Sequence, residues 1–71
     1  MARQGIRDLV GRAMIDKQFL TDLVRDPEGM LAEFDLSAEE RAAIMQAVGR
    51  SASSPDPGRA LQVVLMKRWA T

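Results

Sequence analysis

Residues able to cap a helix recur along this chain just ahead of its apolar stretches: Asp16, Asp26-Pro27, Ser37-Ala38-Glu39-Glu40 and Asp56-Pro57. The first N–H groups of an α-helix have no partner inside the helix. An aspartate or serine side chain can accept from them, and proline fits the first turn because its missing N–H is not needed there. Ser37 with Glu40 three residues on forms a capping box, in which each side chain serves the other's backbone N–H. So much punctuation in 71 residues leaves room only for short helices in one small domain. The expected fold is all-α: a small bundle of about four short helices, then a linker and a C-terminal helix or extended tail.

The apolar spacing fills in the elements. Ile6, Leu9, Val10 and Ala13 recur at helical intervals between Gly5 and Ile15. Phe19, Leu20, Leu23 and Val24 form a second stripe, and Asp16 either caps a new helix there or lies within one continuous helix. After Asp26-Pro27-Glu28, Met30, Leu31 and Phe34 give a short helix one apolar face. Gly29 inside it costs about 1 kcal/mol relative to alanine, so this helix depends on packing. Ala42 to Val48 fill the helix begun at Ser37, and Gly49 suits a left-handed stop.

Three segments result: a helical recognition domain over 1–49, a flexible linker over 50–58 and an apolar C-terminal segment over 59–71. The linker, Arg-Ser-Ala-Ser-Ser-Pro-Asp-Pro-Gly, holds no large apolar anchor. The last segment reads two ways. As a helix capped by Asp56-Pro57 it places Leu61, Val64, Leu65 and Trp69 on one face. As a strand it places Leu61, Val63 and Leu65 on one side, with Val64 and Met66 on the other. Helix is the expectation for the free chain.

A domain this small buries only about 60% of the surface its unfolded chain exposes, and such domains are usually reinforced by a disulfide, a metal or a partner. Cysteine and histidine are both absent, which removes disulfides, thiolate chemistry and the usual zinc sites together. Association with a larger protein is the reinforcement left. Phe19, Leu20, Leu23, Leu31, Phe34 and Leu36 are the candidate core. Together with Pro27 they are also the candidate partner-binding set, because so small a domain exposes part of its apolar surface.

No catalytic residues are expected. Without histidine or cysteine, the commonest proton shuttle and the strongest nucleophile are missing. Asp22 and Asp26 share a helix face but make a poor metal site without further ligands. Glu39 and Glu40 are explained by capping and the helix dipole. The chain is therefore expected to be no enzyme and to hold no metal or cofactor of its own.

Net charge is zero but unevenly spread. Arg3, Arg7 and Arg12 against Asp8 leave residues 1–15 at +2. Lys17 and Arg25 against eight carboxylates leave 16–40 at −6, and five cations against Asp56 leave 41–71 at +4. The acidic middle argues against nucleic acid as a partner. A basic tail suits an acidic patch or channel on another protein. Met1–Gly5 is polar and lacks the apolar run of a signal peptide, and Val63–Met66 is too short to span a bilayer. A cytoplasmic location, with no membrane span, is the expectation.

The stretch Phe19 to Val48, which begins Phe-Leu-x-x-Leu-x-x-Asp-Pro-Glu-x-x-Leu-x-x-Phe-x-Leu-Ser-x-Glu-Glu, resembles the helical fold of the small subunit of extradiol aromatic-ring dioxygenases. The same pattern occurs in precursor peptides of ribosomally made natural products. Within that group the whole layout resembles the split borosin precursors. The resemblance implies a helical domain that docks on a separate S-adenosylmethionine-dependent methyltransferase, forming a hetero-oligomer. That enzyme would N-methylate backbone amides of the C-terminal segment, with Val63, Val64, Leu65 and Met66 as candidates. Each of those amides carries a proton, and β-branched Val63 and Val64 favour the extended form an active-site channel needs. The dioxygenase resemblance implies instead a non-catalytic accessory subunit whose C-terminal helix is permanently packed.

Overall fold

A computed structural model describes residues 4–69; Met1–Arg3 and Ala70–Thr71, the outer ends of the two terminal segments, lie outside the described residues. Five helices follow one another: α1 (Ile6–Ile15), α2 (Lys17–Arg25), α3 (Pro27–Leu31), α4 (Ala38–Ser51) and α5 (Pro57–Trp69). No strand occurs among the described residues. The protein is an all-α bundle.

The capping residues sit where the helices begin. Asp16 is extended, with φ −128° and ψ 99°, so α1 and α2 are separate helices. Its N–H closes α1 on the Arg12 carbonyl at 2.9 Å, while its carboxylate opens α2 by accepting from the Phe19 N–H at 3.1 Å. Asp26 repeats the device: its N–H donates to the Asp22 carbonyl at 2.8 Å, and its side chain accepts from the Gly29 N–H at 3.2 Å. A Cβ on Gly29 would run into that same carboxylate. The glycine that weakens α3 by propensity thus makes room for the cap that starts it. The Ser37–Glu40 box is formed in both directions, at 3.1 and 2.8 Å. Asp56 accepts from the Arg59 N–H at 3.3 Å and starts α5.

Gly49 does not stop α4. No glycine among the described residues has a positive φ, and α4 runs on through Arg50 to Ser51, whose side chain is buried. At the other end, Pro57 and Gly58 already belong to α5. The connection is therefore residues 52–56, an ordinary length between neighbouring helices of a bundle. Its serines close the end of α4: the Ser53 hydroxyl donates to the Arg50 carbonyl, and the Ser54 N–H to the Ser51 carbonyl.

The core draws on four long elements. Leu9, Val10 and Ala13 come from α1, Phe19, Leu20 and Leu23 from α2, Ile44, Ala47 and Val48 from α4, and Leu61 and Leu65 from α5. Leu31 and Phe34 close one end, with the Phe34 ring tilted against Phe19 at 5.9 Å between centroids. The Arg12 guanidinium covers the outer face of Phe19 at 4.7 Å, joining a cation–π contact to a 3.6 Å ion pair with Asp16. Helix α5 packs against α1, α2 and α4 together. One side chain fixes its register: Gln62 Nε2 donates to the carbonyls of Ala13 and Met14 at 3.1 and 3.3 Å. Those carbonyls belong to the last turn of α1, where a helix leaves its acceptors without internal partners.

Candidate docking surface

Five of the seven residues expected to bind a partner are interior. Phe19, Leu20, Leu23, Leu31 and Phe34 are buried, while Pro27 and Leu36 are half-buried. Helix α5 packs across α2, while Leu31 and Phe34 are enclosed at the end where α3 meets α2 and α4 and where the Phe34 ring lies on Phe19. A docked protein cannot reach these side chains while the bundle is intact.

The four candidate substrate positions are split by the helix they lie in. Leu65 is fully buried and Val64 half-buried, whereas Val63 and Met66 are 40% and 41% exposed. The backbone here is helical rather than extended, so each amide donates to the carbonyl four residues back. Four consecutive apolar residues on a helix cover most of its circumference, and only part of that can face one core.

The surplus defines a surface. Among the described residues the large apolar side chains left exposed are Met14, Ile15, Val63 and Met66, with Ile15 at 87%. Val63 and Met66 line a groove of about 380 Å³ between α2 and α5, whose other walls are Lys17, Leu20, Thr21, Asp56, Gly58, Arg59 and Gln62. The Gln62 bonds to Ala13 and Met14 bring the exposed end of α1 to the edge of this groove. The start of α5 lies beside α2, where a Cβ added at Gly58 would meet Leu20 at an ordinary contact distance of 3.6 Å.

The resemblance points to Val63, Val64, Leu65 and Met66 as substrate, and neither it nor the apolar patterning points to Met14 or Ile15. The signal was present. Ile15 falls two residues after Ala13, off the Leu9–Val10–Ala13 stripe, so a helix through those residues turns it to solvent.

Chemically, the groove offers apolar contact, two cations and one carboxylate, which suits recognition. Among the described residues no three of His, Cys, Asp and Glu gather where they could hold a metal ion. Among the described residues no helix is long and apolar enough to cross a membrane. No family model matches the chain, and no curated protein or solved structure matches it either.

Proposed function

We propose that the protein is a non-catalytic helical accessory module that acts as a folded unit held by a larger partner, in the manner its resemblance to the dioxygenase small subunit implies. One observation carries this reading: Leu61 and Leu65 of α5 are 0% exposed, enclosed by a core shared with α1, α2 and α4. Full burial of two leucines is worth about 3–6 kcal/mol. A domain of this length has a total stability of about 4–11 kcal/mol. Detaching α5 would therefore remove a large share of what holds the head together. The helix belongs to the module.

Amide hydrogen exchange on the isolated chain tests this. Residues Leu61 to Trp69 are expected to be protected to nearly the same degree as Leu9 to Ala13 and Ile44 to Val48. Rapid exchange confined to α5 would overturn the reading.

The precursor reading keeps one observation in its favour. The Val63 and Met66 side chains of α5 already face outward. For backbone N-methylation, a methyltransferase carrying S-adenosylmethionine would have to unwind α5, freeing the amides of Val63 to Met66 from the helix. It would also have to grip the remaining head tightly enough to offset the lost core. Co-expression with the product of the adjacent gene, followed by mass spectrometry of the tail, separates the two readings. Methyl groups on residues 63–66 would establish delivery; an unmodified tail in a stable complex would establish the accessory role.

A further inference from the structure

We infer that the groove between α2 and α5 seats an acidic amphipathic helix of the partner. The inference rests on the accessory reading, because it needs α5 in place as one wall.

The groove has the form such a helix requires. Its apolar strip is Val63 and Met66, backed by Leu20 beneath. It follows α5 from Gly58 to Met66, about 12 Å at 1.5 Å per residue. That is two turns, enough for anchors at i, i+3 or i+4, and i+7 of a docking helix.

Charge selects the occupant. Lys17 and Arg59 line the groove, and neither makes an ion pair among the described residues. Asp56 joins them and accepts from the Arg59 N–H, so the lining holds two positive charges against one negative. Helix α5 carries Arg59, Lys67 and Arg68 and no carboxylate at all. Of the eight carboxylates of residues 16–40, Asp16 caps α2 and Asp22 lies on it, the first paired with Arg12 and the second accepting from Gln18, and the other six lie on α3, the start of α4 and the turn between them. An acidic partner is thus drawn to the α2–α5 face and repelled from the α3–α4 end.

A second copy of this chain fits less well. It can offer its own acidic segment, but Leu31 and Phe34 of that segment are buried, so charge arrives without the apolar ridge.

The test uses the full chain and two synthetic amphipathic helical peptides. Both carry leucines at i, i+3, i+4 and i+7; one is flanked by glutamates, the other by lysines. In an isotope-edited NMR titration the glutamate peptide is expected to shift Lys17, Thr21, Arg59, Val63 and Met66. Raising salt should weaken it, since exposed charges are screened. The double reversal K17E/R59E, at two exposed positions, should retain the fold by circular dichroism. It should weaken the glutamate peptide at least about tenfold and admit the lysine peptide, because like charges now face the first and opposite charges the second. Equal binding of both peptides, or shifts centred elsewhere, would overturn the proposal. So would the same residues shifting on concentration of the protein alone, which would assign the groove to a second copy. Failure here with α5 still protected from exchange leaves the accessory role standing on another face. Loss of that protection in the free chain removes both.

Discussion

Helices α2 and α5 face each other across the groove, yet they dispose of their apolar residues differently. In α2 the large apolar side chains fall on one stripe, and Phe19, Leu20 and Leu23 all disappear into the core. In α5 Val63 to Met66 are consecutive, so Leu65 is buried, Val64 half-buried, and Val63 and Met66 are left outside. A stripe serves the fold alone. A run leaves a remainder, and that remainder lies beside unpaired cations.

The largest expected effect breaks this comparison from within α5. Leu65→Ala should destabilise the domain by about 2–5 kcal/mol, as deletion of a fully buried leucine does. Val63→Ala and Met66→Ala should stay within about 0.5 kcal/mol, as surface changes do. Chemical denaturation measures all three. If Leu65→Ala were as mild as Val63→Ala, α5 would be an appendage and would share no core with α2.

Next in size is the tie between the helices. Gln62→Ala removes the donor to two carbonyls of α1 and should lower stability by about 1 kcal/mol, a shift of about 4–8 °C in Tm. A change confined to the exchange rates of α5, with none in α1, would show that the bond does not join them.

The α4 box should behave similarly: Ser37→Ala is expected to cost about 1 kcal/mol. The smallest effects come from glycine. Gly49 lies within α4 at negative φ with open space around its missing Cβ, so Gly49→Ala should stabilise by about 0.5–1 kcal/mol. Gly29→Ala should show no such gain, since its methyl group displaces the Asp26 cap. Thermal melts of the pair sharpen the distinction between a glycine tolerated and a glycine used.

Local signals carried much of the fold. Asp26 and Ser37 are legible as caps because the interaction spans three residues and needs no tertiary context, while Asp16 and Asp56 are open in the sequence and are made caps by the breaks the folded chain places there. The helical stripes of α1, α2 and α4 were legible for the same reason. Boundaries without a strong local device went astray: Gly49 was read as a stop, and the serine-rich stretch as a long free linker. Neighbouring helices overrode both, extending α4 to the buried Ser51 and starting α5 at Pro57.

The site was less legible than the fold. The residues nominated for binding were the most apolar ones, and apolar character by itself does not distinguish a core from an interface. That distinction depended on α5. Once it lies over α2, Leu20 becomes interior and Lys17, Val63 and Met66 become the walls of a groove.

The sequence alone determined that this chain is helical, where most of its helices begin, and which types of chemistry its side chains cannot supply. Those properties are set by neighbours three or four positions apart. Only the tertiary structure decided that the last helix belongs to the core and which apolar residues remain outside. Both depend on contacts between Ala13 and Gln62 or Leu20 and Gly58, residues far apart in the chain, whose meeting no local pattern encodes.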